Sequence, residues 1–295
     1  MPWPRMRVRE EKATGRSSRS GGGGVEQDES ALPDMNPAPL TTVRDGVDPI
    51  SQPCAPRELD RLTFFALKSV NRAIYEFEMI RDGDRVAVAV SGGKDSCALL
   101  YLLRARQSRV AERYQLVALH VQMHPAGLPD LRPVLEPWFV RLDVEYAFVP
   151  LELNARDRLP LSCQRCAWNR RKALFLQAHA LGCNKLALAH HADDAAETAL
   201  LNLLFAGRLQ TLSPRLDFFA GTITLIRPLI YLEESRLSRL ARALRFPYSD
   251  FTCPNADTSR RAWIRRWLAD AGCNRRQIRA NLWRAAMRSA HRSVE

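Results

Sequence analysis

From residue 1 to about 55 the apolar positions show no repeat, and Pro33, Pro37, Pro39, Pro49 and Pro53 break them up among Gly, Ser and charge. Such a stretch buries too little to offset its ordering entropy and is expected to be a disordered tail. The pattern changes at Leu59, after which Leu62, Phe65, Ala66 and Ser69 or Val70 recur at helical spacing as far as Phe77. From Arg85 onward short apolar runs alternate with amphipathic ones. Strands are predicted at Val86–Val90, Leu116–Val121, Val144–Val149, Lys185–Ala189 and Thr222–Ile226. Helices are predicted at Ser96–Leu103, Val134–Leu142, Gln164–Leu181, Ala195–Phe205 and Glu233–Leu244. Strands separated by helices imply an α/β fold, a doubly wound parallel sheet with right-handed crossovers and helices on both faces. Ligands bind such sheets beyond the carboxyl ends of the strands. Two more helical stretches, Ser259–Ala271 and Gln277–Ala290, close the chain. The expected organisation is a tail at 1–55, a sheet-bearing domain at 56–255 and a basic helical extension at 256–295.

Composition narrows the setting. The chain is 46% hydrophobic, yet no apolar run approaches the roughly 20 residues of a membrane span. A soluble, cytoplasmic protein with no membrane partner is expected. Arg5, Arg7, Arg9, Arg16 and Arg19 hint at a transit peptide, but Glu10, Glu11 and the Gly21–Gly24 run do not suit one. The formal charge is +12, and from Arg260 to Glu295 ten arginines face only Asp270 and Glu295. That concentration is a footprint for a polyanion, with a solvated helix face as the alternative on charge alone. Arg260, Arg261, Arg265 and Arg266 are the RNA-binding candidates. Trp263, Trp267 and Trp283 interleave with them, and aromatics among basic residues can stack on unpaired bases. Trp263 and Trp267 are four apart, however, which suits a buried helix stripe; the tryptophans are assigned to the core and the arginines to RNA.

The strongest chemical signal is Val86–Val90 running directly into Ser91-Gly92-Gly93-Lys94-Asp95-Ser96 and a helix. Two glycines permit positive φ and expose successive N–H groups, and the helix points its positive end at the same place. Pyrophosphate fits such a cradle, with Lys94 neutralising charge, Ser91 and Ser96 donating hydroxyls and Asp95 holding Mg2+. The spacing is not that of a Walker loop. The alternative is an ordinary turn capped by Asp95 or Ser96. Just past a later strand, His190, His191 and Asp194 lie at the same sheet edge. There Asp194 can share the metal with Asp95, and a histidine can meet phosphate or base. Alternatively Asp194 and Glu197 form a capping box. Arg227 faces phosphate or RNA, or else makes a helix-capping ion pair.

Seven cysteines, an odd number behind no apolar signal segment, point to reduced thiols or metal ligands. Cys163-Gln164-Arg165-Cys166 opens a helix, where thiol pKa values fall, and suits a redox pair, a metal clamp or a persulfide carrier. Cys253 stands alone before Pro254, and Cys54, Cys97, Cys183 and Cys273 are isolated, which disfavours a four-ligand structural zinc site.

Ser-Gly-Gly-Lys-Asp-Ser after a first strand resembles the signature of the PP-loop, or N-type, ATP pyrophosphatases, which cleave ATP to AMP and pyrophosphate through an adenylated substrate. His190-His191-Ala192-Asp193-Asp194 with Glu197-Thr198 resembles the His-His-x-Asp-Asp-x-x-x-Thr stretch of their tRNA-modifying branch. Arg227-Pro228-Leu229 resembles a further family segment, and from about Phe64 to Arg288 the chain is similar to the tRNA 2-thiocytidine synthetases. That resemblance implies adenylation of the C2 oxygen of an anticodon-loop cytidine and displacement of AMP by sulfide. It implies ATP, Mg2+ and a [4Fe-4S] cluster on Cys163, Cys166 and Cys253, whose free iron presents sulfide. The implied partners are tRNA and a cysteine-desulfurase-type sulfur donor, with a homodimer as the possible assembly. One departure is that family members often carry a CxxC at the third site, where this chain has Ala256 in Cys253-Pro254-Asn255-Ala256. The rival readings are lysidine synthesis, which needs no cysteine triad, a uridine-specific thiolase, and an ATP-sensing RNA-binding protein without turnover.

Overall fold

The computed structural model describes residues 38–41, 56–123, 127–154, 157, 159, 161–247, 259–270 and 275–292. Six strands form one sheet: β1 Arg85–Ala89, β2 Gln115–Gln122, β3 Glu145–Pro150, β4 Lys185–Ala187, β5 Arg215–Phe218 and β6 Ile223–Ile226. Their spatial order is β3-β2-β1-β4-β6-β5. β1 is central and parallel to both neighbours, Val88 pairing with Ala118 on one side and Ala187 on the other. The helices are α1 Pro56–Glu76, α2 Lys94–Gln107, α3 Arg132–Arg141, α4 Cys163–Ala180, α5 Ala192–Ala206, α6 Glu234–Leu244, α7 Arg260–Asp270 and α8 Arg275–Arg292.

Why both faces of the sheet are covered is visible within β1. Its side chains alternate, so Val86 and Val88 join a core with residues of α1, α2, α3 and α6, while Ala87 joins another with Leu174 and Phe175 of α4. A strand buried on both sides must be apolar throughout, which is why Val86–Val90 is an unbroken apolar run. A third, smaller core of Leu200, Ile264 and Leu268 seats α7 on α5, with Ile278 and Leu282 of α8 packed against it.

The sheet departs from the all-parallel expectation at one edge. β5 runs antiparallel to β6, Leu216 opposite Leu225, after a tight return in which Gly221 takes φ +88°. Four residues with Leu216 and Asp217 both exposed carry no alternation of burial, so periodicity had nothing to detect. At the opposite edge, Thr41 and Tyr146 exchange backbone hydrogen bonds of 2.9 and 3.1 Å. The Gln177 amide accepts from Ala38 N at 3.0 Å and donates to its carbonyl at 3.1 Å. This short stretch, inside the segment expected to be a tail, therefore lies against β3. No helix among the described residues is long and apolar enough to cross a membrane.

The chain builds β1, β2 and β3 to one side, then returns to lay β4 on the other side of β1. The crevice beyond the carboxyl ends of β1 and β4 is thus the topological switch point, the place where such sheets bind ligands.

Candidate active site

Val90 N donates to Leu119 O at 2.8 Å, holding the chain in the sheet up to the residue before the loop. Gly92 then takes φ +84°, which favours glycine, whereas a Cβ there would meet only the tip of the Leu131 side chain, which can move aside. Ser96 closes the turn: its hydroxyl donates to Gly93 O at 2.8 Å and accepts from Ser91 N at 3.1 Å. Ser96 thus shapes the loop from a buried position, while Ser91 is exposed. Gly93 is the N-cap of α2 and has no side chain to satisfy the first-turn N–H groups, so none competes with an anion there. Lys94 Nζ reaches Asp95 Oδ2 at 3.2 Å and Glu234 Oε1 at 3.0 Å. Burial opposes its charge, but these two carboxylates outweigh burial and hold the ammonium above the ordinary lysine pKa.

His191 caps α5 in a reciprocal box: its N–H donates to Asp194 Oδ2 at 3.1 Å, and its Nδ1 accepts from Asp194 N at 3.4 Å. The box therefore joins Asp194 to the residue three before it and not to Glu197, as had been the alternative from sequence. The His191 Nε2 faces Asp194 Oδ2 at 3.4 Å and Asp95 Oδ2 at 3.8 Å, and its Nδ1 lies 3.6 Å from Asp193 Oδ2. The two carboxylates shift in opposite directions. Burial raises the Asp95 pKa, and His191 and Lys94 only partly offset it. Burial also opposes ionisation of Asp194, yet His191, His190 and Arg261 prevail and hold it below the usual range. Asp95 Oδ1 is buried with no hydrogen-bond partner. An orphaned carboxylate oxygen beside a pyrophosphate cradle, with a second carboxylate on the same imidazole, is a hard-oxygen set suited to Mg2+. Asp193, beside the same imidazole, also accepts from Glu234 N at 2.7 Å and pairs with Arg279, which ties α5 to α6 and α8.

Arg227, at the end of β6, is only 6% exposed. It donates to His190 Nδ1 at 3.1 Å and to Ser213 O, so it caps no helix and holds the imidazole in place. Burial and the Arg227 guanidinium push His190 down to about 3, which keeps the ring neutral. Arg227 itself falls to about 10 through burial and the nearby Arg171. A separate cavity of about 380 Å³ lies at the carboxyl ends of β2 and β3 beside Gln122, Pro150 and Lys172, and no loop or cluster residue lines it.

The family model of the PP-loop domain matches residues 66–271 of this chain. The tRNA-cytidine(32) 2-sulfurtransferase of Geobacter sulfurreducens is 40% identical over 216 residues, covering 69% of this chain and 82% of the relative. The chain belongs to the PP-loop tRNA-cytidine 2-sulfurtransferase family. The sulfurtransferase of Anaeromyxobacter dehalogenans is 34% identical over 78% of this chain and 80% of its own length. Among solved structures, the U34-tRNA thiolase of Methanococcus maripaludis, solved with its [4Fe-4S] cluster, superposes with a TM-score of 0.63. It covers 78% of this chain and 79% of that one at 21% identity, a likeness of fold.

In this family member the cysteine pair opens α4, with Ser162 as N-cap accepting from Arg165 N at 3.2 Å. Cys163 is exposed and Cys166 half-buried, one helical turn apart. Cys97 and Cys183 are buried, and burial lifts their thiols to about 12 and about 11, so neither is a ready thiolate. Cys253, Ala256, Cys54 and Cys273 lie outside the described residues.

The basic extension inverts part of the expectation. Arg265 forks onto Glu197 at 2.9 and 3.2 Å, and Arg261 reaches Thr198 Oγ1 at 3.1 Å and Asp194 Oδ1 at 3.7 Å. Glu197 is buried, so these two guanidiniums clamp α7 to α5. Trp263 and Trp267, assigned to the core, are 46% and 49% exposed. The four-residue stripe exists, but one position further along, at Ile264 and Leu268. Trp283 does pack inward, its ring 5.1 Å from that of Tyr231. Arg260 and Arg266 are exposed, Arg260 lying 4.6 Å over the Phe205 ring. Glu234 had no signal in the sequence; Asp193 and Glu197 stand in the quoted motif, but their roles in tying α5 to α6, α8 and α7 were not read from it.

Proposed function

We propose that this protein is an ATP-dependent tRNA thiolase that converts cytidine 32 to 2-thiocytidine. The carrying observation is that the Ser91–Ser96 loop and the Asp95, His191 and Asp194 group meet at the switch point of a chain 40% identical to a named tRNA-cytidine(32) 2-sulfurtransferase. The loop and the start of α2 take the pyrophosphate portion of ATP, with Lys94 matching its charge. Asp95 and Asp194 hold Mg2+ through oxygen, which relieves the buried Asp95 carboxylate. His190 and His191, one neutral and one aimed at the carboxylates, border the reacting phosphate.

The cytidine C2 oxygen attacks the α-phosphorus, the bond to the bridging oxygen breaks, and pyrophosphate leaves. Sulfide then adds at C2 and AMP departs with the original oxygen, which leaves poorly until it is adenylated. Cys163, Cys166 and Cys253 would hold a [4Fe-4S] cluster, which when bound supplies iron with an open position for sulfide. The exposed Cys163 and half-buried Cys166 suit two of those thiolate positions, being soft ligands at a helix N-terminus. The sulfur comes from a cysteine-desulfurase-type donor, and the tRNA substrate puts the reaction in the cytoplasm. The outward arginines, Arg260 and Arg266, meet tRNA phosphate, while Arg261 and Arg265 fix the helix that presents them.

Anaerobically purified protein, incubated with ATP, Mg2+, sulfide and an unmodified tRNA transcript, should yield 2-thiocytidine at position 32 by nucleoside mass spectrometry. Pyrophosphate release should depend on the tRNA. A lysine-dependent mass gain, or ATP turnover indifferent to tRNA, would sink this reading in favour of its rivals.

A further inference from the structure

α7 has two faces of opposite chemistry. Inward, Arg261 and Arg265 are neutralised on α5 at Glu197, and Ile264 and Leu268 fill the small core. Outward, Trp263 and Trp267 are one turn apart and half-exposed. Phe205, at the last turn of α5, lies edge-on to Trp263 with ring centroids 6.2 Å apart, and the Arg260 guanidinium lies 4.6 Å over the Phe205 ring. A globular protein does not leave two neighbouring indoles in water without cost, and the stripe beside them shows that α7 had apolar residues enough to seat itself.

What covers the indoles is indicated by their surroundings. The stretch from Arg260 to Glu295 carries ten arginines against two acids, so an anionic occupant is favoured. Flat aromatic faces inside a basic field match unpaired nucleic-acid bases, since every base has a π-face and every linkage a negative charge. The position agrees: Phe205 lies eleven residues along α5 from Asp194, about 16 Å at 1.5 Å per residue. A single strand entering the site by one base would pass its neighbouring bases over this platform.

We propose that Trp263 and Trp267, with Phe205, form a stacking platform for unpaired bases of the tRNA substrate flanking the one that is modified. The proposal rests on the thiolation reading and adds to it the part of the protein that receives the rest of the loop. The test compares wild type with Trp263→Ala, Trp267→Ala and the corresponding Phe variants, titrated with an unmodified tRNA transcript and with a fully paired RNA duplex. Each alanine change should weaken tRNA binding about five-fold or more, and the phenylalanine changes should restore most of it. The salt slope should hold, because no cation is removed, and duplex affinity should not move. ATP affinity, measured in parallel, reports that the variants are folded. Unchanged tRNA affinity in both alanine variants, or an equal loss on duplex, overturns the platform. So does a change of oligomeric state on sedimentation, which would assign the patch to a second copy. Wild-type protein that turns over ATP but binds no tRNA is a different result, and it would overturn the thiolation reading itself.

Discussion

Asp95 buries a carboxylate oxygen that has no hydrogen-bond partner. Its folded pKa is raised, so its contribution to stability is present below the unfolded value and is lost as pH rises through the folded one. At neutral pH the ionised carboxylate is therefore a net cost until a cation arrives. Asp95→Asn should raise the melting temperature of Mg2+-free protein while abolishing pyrophosphate release, and calorimetry showing a lower melting temperature would refute the assignment. His190 works with the opposite sign. Its pKa falls from 6.5 to about 3, so the stability it contributes is present above 6.5 and is lost as pH drops through that window. Denaturant midpoints measured across the window should fall less steeply for His190→Gln than for wild type. The Ser91–Ser96 loop was legible because its glycines and lysine act where they stand in the chain. Glu234 was not, because it meets Lys94 only through packing between residues 140 apart.

At the scale of elements, α5 joins the loop-side carboxylates to the basic extension. Its first turn carries Asp193 and Asp194, its middle carries Glu197, and its far end carries Phe205. Glu197→Ala would strip Arg265 of its forked partner and leave Arg261 only the longer ionic contact to Asp194. Because Arg265 is half-exposed, the cost lies between that of surface and buried pairs, about 1–3 kcal/mol. Urea unfolding should register that loss. By contrast, Arg260→Gln with Arg266→Gln should lower the slope of log affinity against log salt for tRNA by about two. An equal drop in slope for Arg261→Gln with Arg265→Gln would mean that the inner and outer faces of α7 have been misassigned. Sequence identified α7 as a helix with a four-residue stripe but set its phase one position early. Tryptophan and isoleucine are both apolar by pattern, and only the contact with Leu200 decides which faces α5. β5 escaped for a related reason, since an edge strand with an exposed middle leaves no periodic trace.

Across the molecule, the cysteine pair proposed for the sulfur step opens α4, whereas the residues proposed for the ATP step lie between β1 and α2 and at the start of α5. They should therefore separate by mutation. Cys163→Ser, Cys166→Ser and Cys253→Ser should each lose most bound iron and all thiolation while ATP binding persists. Cys97→Ser and Cys183→Ser should keep iron, as buried thiols held above the ordinary pKa. Iron analysis that finds Cys253→Ser fully loaded would reduce the triad to a pair. The doubly wound plan was legible because unbroken apolar strands alternating with helices admit few other arrangements, and it carried the location of the site with it.

The backbone bonds between Thr41 and Tyr146 bear on where the folded domain can safely be cut. A boundary drawn from composition alone falls at residue 56, and a chain started there would lose Ala38–Thr41 together with the Gln177 clamp. The N–H and C=O of Tyr146, in the middle of edge strand β3, would then be open, which extends the free rim on which a second molecule can add a strand. Protein beginning at residue 56 should scatter light and grow in size with concentration, whereas protein beginning at residue 38 should not. Four residues outside the Ser91–Ser96 loop and the Asp95, His191 and Asp194 group would thus decide how well this sheet edge is guarded against other copies.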